Sequence, residues 1–358
     1  MPLTPLTALT GEDTDSILDS AARWRADGRR VALATVVRTW GSSPRPVGSQ
    51  LAADEGGNFV GSVSGGCVES AVISEARAIL KGAPVKLLGF GVSDEQAWEV
   101  GLACGGKVEV FVQSIAGQEE VLAALKRARA ARKPVLLATD LADGRSALLA
   151  EGEAAGDAAL RALLAGHAAR ALEREQSAVL EHEGRSYFLH VFAPPRKLAL
   201  VGAVHIAQAL IPMAVAAGYD VTVIDPRSAF AAENRFPGVT MTHEWPGTAL
   251  AAFAPDRRSA VITLTHDPKL DDPALAAALR SEAFYIGALG SRKTHAARLD
   301  RLREQGFGDA ELARIRGPVG LSIGAVSPAE IAVSILAELT QALRGAPPLA
   351  PVRQESRK

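Results

Sequence analysis

The chain has almost no cysteine: Cys67 and Cys104 are the only two in 358 residues. Two cannot build a disulfide framework, so a reducing compartment, the cytoplasm, is the expectation. It has almost no net charge, with 39 basic against 40 acidic side chains. That balance gives no support for a nucleic-acid binder or a membrane-surface binder. No apolar run is long enough to span a bilayer. Residues 1–11 lack a basic segment followed by an apolar stretch, so no signal peptide is expected. The length suggests about two domains, each able to bury a core of its own.

Both cysteines sit among glycines, in Ser64-Gly65-Gly66-Cys67 and Cys104-Gly105-Gly106. Glycine lets backbone approach a ligand closely. It also leaves each sulfur uncrowded, open as a nucleophile or a soft metal ligand. The plain alternative is two buried thiols that pack like small apolar side chains. Two further residues in this region have similar alternatives. Arg45, in the loop Gly41-Ser42-Ser43-Pro44-Arg45-Pro46-Val47-Gly48, either reaches an anion or lies on the surface. Glu69, two residues after Cys67, either acts as a base or begins a helix favourably.

The pattern predicts a first domain over residues 1–193, with a mixed α+β core at 12–115 and a helix and strand segment at 116–193. Helices are expected over 12–28, 68–81, 119–131 and 156–173. Strands are expected over 31–37, 50–53, 59–63, 85–89, 107–112, 135–139, 147–150 and 187–192, with a hairpin turn at Glu55-Gly56-Gly57-Asn58. His167, His182 and His190 read as structural or surface residues. Pro194 and Pro195 mark a boundary. Beyond it, strands over 198–201, 221–224, 260–265, 284–286 and 318–321 alternate with helices. That alternation is the signature of a doubly wound parallel sheet, a Rossmann-like α/β domain over 194–345. A flexible tail is expected over 346–358.

Ligand chemistry in the second domain is expected where strands end. Gly202-Ala203-Val204-His205 forms the first strand-to-helix turn, whose free N–H groups favour an anion. A dinucleotide motif places glycine at position 204 for close pyrophosphate approach, and valine stands there. Asp225, at the end of the next strand, is placed to grip ribose hydroxyls, with Arg227 as a phosphate partner; the alternative is a helix cap. His266 follows an apolar strand, in the crevice where such sheets bind ligands; the alternative is an ordinary loop histidine. Gly290-Ser291-Arg292-Lys293 puts two cations at a helix start, where an anion would relieve their conflict with the helix dipole. Ser327-Pro328-Ala329-Glu330 is a capping box, which accounts for Glu330 without catalysis.

The stretches GSSPRPVGSQL, GSVSGGCVES and GLACGGKVEVFV resemble the N-terminal domain of the XdhC/CoxI family. LVGAVHIAQALIPMA, VTVIDPR, AFYIGALGSRKTHAARL and GLSIGAVSPAEIAVSILAEL resemble its Rossmann domain. Val204 and Ser322 depart from the residues many members carry, glycine and aspartate. The resemblance implies a maturation chaperone for molybdenum hydroxylases of the xanthine or carbon-monoxide dehydrogenase type. Such a protein binds molybdenum cofactor, as molybdopterin or its cytosine dinucleotide, supports its sulfuration by a cysteine desulfurase, and passes it to the apo-enzyme. It also implies a homodimer. On that reading Cys67 and Cys104 handle sulfur or contact molybdenum. Arg45, Gly65, Gly66, Gly105, Gly202, Ala203, His205, Asp225, Arg227, His266, Gly290, Ser291 and Arg292 bind the cofactor. The alternatives are an NAD(P)-dependent oxidoreductase, which Asp225 favours, and a cysteine-dependent transferase.

Overall fold

The run Val31 to Val37, apolar but for Thr35, must be covered on both faces, and two helices do so. The computed structural model describes residues 12–41, 43, 45–66, 68–91, 106–150, 152–227 and 235–347. They divide into two compact units, one ending at Pro194 and one beginning at Pro195.

The first unit opens with α1 (Glu12–Ala26), β1 (Val31–Trp40), β2 (Gln50–Asp54), β3 (Phe59–Gly61), α2 (Glu69–Leu80), β4 (Lys86–Phe90) and β5 (Lys107–Ser114). The strands form an antiparallel sheet in the order β3-β2-β1-β5-β4. Ala32, Ala34 and Val36 of β1 pack against Val72, Ala76 and Ile79 of α2. Val31 and Leu33 face Ile17 and Ala21 of α1. A strand buried on both faces reads as continuous rather than alternating. β1 runs on to Trp40, past the expected end at Val37, because its ladder with β5 continues to Trp40 opposite Lys107.

The same unit continues through α3 (Glu119–Ala130), β6 (Val135–Asp140), β7 (Ser146–Ala150), β8 (Glu153–Gly156), α4 (Ala158–Arg174), β9 (Ala178–His182) and β10 (Arg185–Phe192). Here the order is β8-β7-β6-β10-β9, again antiparallel. Val135 and Leu137 pack on α3, while Leu136 and Ala138 pack on α4. The edge strands β8 and β9 were not expected. They are short and partly polar, and only pairing with β7 and β10 makes them strands.

The second unit contains β11 (Arg196–Val201), α5 (His205–Ala216), β12 (Tyr219–Ile224), β13 (Thr240–Thr242), α6 (Pro246–Phe253), β14 (Ser259–Thr263), α7 (Pro268–Leu279), β15 (Tyr285–Ala288), α8 (Arg292–Glu304), α9 (Asp309–Leu312), β16 (Ile315–Arg316) and α10 (Pro328–Arg344). All six strands are parallel, in the order β13-β12-β11-β14-β15-β16. Leu198, Leu200 and Ile262 face the helices α5 and α10. Ala199, Val201 and Val261 face α6, α7 and α8. This is the doubly wound arrangement, and strand order reverses between β11 and β14. Ligands in such sheets bind at the carboxyl ends beside that reversal.

Two expectations change here. Residues 318–321 are not a strand: β16 ends at Arg316, and Pro318 has no N–H to give a ladder. Val319 makes one bond of that kind, from its N–H to Ala288 O at 3.0 Å. The three-residue edge strand β13 was missed because it is too short to show a period. Glu330 serves the cap of α10, as its spacing predicts: its carboxylate accepts the N–H groups of Val326 and Ser327, each at 2.8 Å.

His190 of β10 is buried beneath the Arg45 loop. Its ring lies 3.9 Å from that of Phe192. A Cβ on Gly48 would fall 2.7 Å from its Nε2, so only glycine fits above it. Burial, aided by the Arg129 charge, pushes the imidazole down from 6.5 to about 3. The neutral ring therefore stabilises the fold above pH 6.5, and this share is lost as pH falls from 6.5 towards 3. We predict that His190→Gln loses less stability than the parent over that interval, measured by urea unfolding at a series of pH values. Parallel curves would exclude His190 as the titrating group.

Candidate functional site

Antiparallel pairing brings three strand ends of the first unit to one end of its first sheet. β1 ends there at Trp40, β3 ends at Gly61, and β5 begins at Lys107. Gly41 therefore comes against Gly106, with a Cβ on Gly41 placed 3.7 Å from Gly106 Cα. Arg45 donates from Nε to Ser62 O at 3.3 Å, which ties its loop to the Ser64-Gly65-Gly66 segment. Ser64, Gly65, Gly66 and Gly106 are the described residues of the two cysteine motifs. Cys67, Cys104 and Gly105 themselves lie outside the described residues.

One carboxylate organises the first motif. Glu69 accepts the Ser62 hydroxyl at 2.7 Å and the Ser64 hydroxyl. It also accepts the N–H groups of Val63 (3.2 Å), Ser64 (2.9 Å), Gly65 (3.1 Å), Gly66 (2.9 Å) and Val68 (3.2 Å). Glycines 65 and 66 adopt φ of +80° and +120°, which turns their N–H groups inward. Burial is the largest influence on the carboxyl and works to raise its pKa. The hydroxyls of Ser64 and Ser62 and the N–H of Ser64 outweigh it and bring the group to about 2. Glu69 is thus a fixed anion inside a backbone nest. Glu69 does begin α2, as one of its two readings has it, and the bonds on both carboxylate oxygens weigh against the other, a base; its organising of the loop was not foreseen.

In the second unit, three turns adjoin at the carboxyl ends of β11, β14 and β15. A Cβ on Gly202 (φ +115°) would lie 2.6 Å from Thr265 Cγ2, and one on Gly290 would lie 3.7 Å from His266 Nδ1. His266 is exposed, with a left-handed φ of +71°. His205 is exposed at the first residue of α5. Val204, the residue before α5, gives that helix no side-chain cap, whereas Asp267, Ser291 and Ser327 cap α7, α8 and α10. Ser291 accepts the Thr294 N–H at 3.1 Å, and Arg292 and Lys293 stand exposed beside it.

Asp225 faces inward. It is fully buried; its Oδ2 accepts the Ala203 N–H at 2.8 Å and Arg227 Nη2 at 2.8 Å. Its Oδ1 accepts Arg227 N at 3.0 Å and Arg227 Nε at 2.9 Å. Burial works to raise its pKa, but Arg227 and the Ala203 N–H outweigh this and hold it below the ordinary value. The expected ribose acceptor is, in this structure, a strut between two strand ends. Ala203 O in turn accepts from Arg235 Nη1 at 3.2 Å. Sequence reading missed Arg235, because no spacing rule links it to a turn 32 residues away.

A model of the XdhC and CoxI family matches residues 24–91, and one of the XdhC Rossmann domain matches residues 198–339. The molybdenum cofactor insertion chaperone PaoD of Escherichia coli (strain K12) is 30% identical over 336 residues, covering 94% of this chain and 90% of its own length. This chain belongs to the XdhC and CoxI family. A protein of Bacillus subtilis (strain 168), named as a probable subunit of xanthine dehydrogenase, is 28% identical over 329 residues, 88% of this chain and 94% of that one. The crystal structure of a xanthine dehydrogenase from Bacillus halodurans matches with a TM-score of 0.71 at 25% identity, covering 95% of this chain and 97% of that one. No helix among the described residues of this XdhC and CoxI family member is long and apolar enough to cross a membrane.

Glu69→Gln keeps the shape of this side chain but turns an amide NH2 towards backbone donors. We expect it to destabilise the first unit by about 2–4 kcal/mol, from lost charge-assisted bonds and unsatisfied N–H groups. Thermal unfolding measures this, and limited proteolysis across residues 62–68 localises it. An unchanged midpoint would show that the loop does not depend on the carboxylate.

Proposed function

We propose that this protein is a molybdenum-cofactor-binding maturation chaperone. It supports sulfuration of the cofactor and its insertion into a molybdenum hydroxylase of the xanthine or carbon-monoxide dehydrogenase type. The observation that carries the reading is the near full-length match to a protein named as a molybdenum cofactor insertion chaperone. The cofactor is cargo here, with a cysteine desulfurase as sulfur source, an apo-hydroxylase as recipient and a homodimer as the working form.

The donor set suits that cargo. Molybdopterin carries a phosphate, and its cytosine dinucleotide form a pyrophosphate. The uncapped start of α5 offers N–H groups to such an anion. Ser291 and Arg292 offer a hydroxyl and a guanidinium across the crevice, and His205 and His266 supply ring nitrogens. The metal and its dithiolene are soft, and the Cys67 and Cys104 sulfurs match them. A thiolate is also the group that takes part in sulfur exchange. Arg45 adds a cation at the same end of the sheet as Gly65 and Gly66, and Gly105 allows close approach of the chain to the ligand.

The crevice weighs against an NAD(P) oxidoreductase. Ribose recognition needs an acidic acceptor after β12, and the Asp225 oxygens already hold Ala203 and Arg227. Val204 places a side chain where a dinucleotide turn needs glycine.

The decisive measurement is molybdenum and pterin retained after incubation with free molybdenum cofactor and desalting. Stoichiometric retention is expected, and none by folded protein would overturn the proposal, as would saturable binding of NADH by fluorescence. Cys67→Ala is expected to retain its fold and lose sulfuration or retention. Gly202→Ala must displace Thr265 and adopt a strained backbone, so it is expected to retain less cofactor. Normal hydroxylase maturation with Cys67→Ala would remove the cysteine from the mechanism.

A further inference from the structure

Beneath the crevice lies an ion pair that no spacing rule foresaw. Asp271, in the first turn of α7, and Arg298, in the second turn of α8, are each 1% exposed. Asp271 accepts the Thr265 hydroxyl at 2.6 Å, the His266 N–H at 3.2 Å and Arg298 Nη2 at 3.2 Å. Arg298 Nη2 also donates to Leu289 O at 2.8 Å, just before Gly290. One carboxylate and one guanidinium thus tie the turn after β14 to the turn after β15.

Stability alone gives a poor account of the pair. Arg298 Nε and Nη1 are buried with no partner among the described residues. A buried ion pair can often be replaced by packed apolar side chains at no loss. An apolar pair cannot hold a backbone conformation, however, and one here needs holding. The left-handed region costs a non-glycine residue about 1–2 kcal/mol and persists only where the surroundings over-determine it. The Asp271 bonds to the His266 N–H and the Thr265 hydroxyl provide that constraint. Their result is an imidazole beside Gly290, at the head of the Ser291–Arg292 turn.

The geometry points to Asp271 and Arg298 as positioning residues that hold His266 and the Gly290–Arg292 turn in one fixed relation for a phosphate-bearing ligand. The ligand class rests on the cofactor reading above, while the positioning role does not.

The test uses two double variants of the full chain. Asp271→Leu/Arg298→Met removes every polar link, and Asp271→Asn/Arg298→Gln keeps an acceptor and a donor without charge. The first readout is the three-bond HN–Hα coupling of His266 read with its intraresidue HN–Hα NOE, which together separate a left-handed φ from the negative φ values of equal coupling, and with its ring 1H–13C resonance. The second is calorimetric titration with inorganic pyrophosphate. The apolar variant is expected to stay folded, to move the His266 coupling away from its left-handed value, and to weaken pyrophosphate about tenfold. The polar variant is expected to restore both. Wild-type coupling and resonance in the apolar variant would overturn the positioning role, as would equal losses in both variants. If the parent protein binds no pyrophosphate while His266 still moves in the apolar variant alone, the anion reading fails and the positioning role stands.

Discussion

Turns leave backbone N–H groups without a ladder partner, and in this chain buried or half-buried carboxylates satisfy several of them. Glu69 takes five such groups below the first cysteine motif. Asp225 takes the Ala203 N–H, Asp271 the His266 N–H, and Glu338 the Gly320 N–H at 2.8 Å. Glu338 also accepts the Tyr285 hydroxyl at 2.6 Å, so the segment after β16 is tied to the sheet as well. A buried donor left unpaired costs about 1–3 kcal/mol, so each turn depends on its anion.

A turn whose N–H groups already hold an internal carboxylate cannot give the same groups to a phosphate. Among the described residues, the crevice offers the uncapped start of α5 and the exposed side chains of His205, His266 and Arg292, while the Ser291 hydroxyl already caps α8 through the Thr294 N–H. On the proposed function, the ligand is read mainly through side chains and one helix start, on turns whose shape is set beforehand. Preorganisation of this kind lowers the ordering cost of binding. It also accounts for Val204: once backbone approach at that turn is not the means of recognition, glycine there is not required.

Local features were legible in the order of residues alone. The capping box of Ser327 and Glu330, the Ser291 cap, the hairpin at Gly56–Gly57 and the alternating strands and helices after Pro195 all rest on contacts within a few residues. The family motifs around Gly202, Asp225 and Gly290 were legible too, as was their approach to one crevice, because parallel strands bring their carboxyl ends together. Not legible were β8 and β13, too short to carry a period, β9, an edge strand with little burial, and the two-residue β16, which lies before the run at 318–321 that looks like a strand but is interrupted by Pro318. The role of Asp225 was not legible either, since its position in the sequence says where it lies but not which way its carboxylate turns.

The sequence by itself determined the doubly wound sheet, the mixed α+β first unit, the family and the turns on which ligand chemistry is expected. Periodicity, glycine placement and capping are local, and local rules suffice for them. Only the tertiary structure decided which groups at those turns are already taken. Asp271 meets Arg298 across 27 residues, Arg235 meets Ala203 across 32, and Glu338 meets Gly320 across 18. Such pairs form because packing brings separate helices and strand ends together, and a hydrogen bond depends on distance and direction that no spacing along the chain encodes.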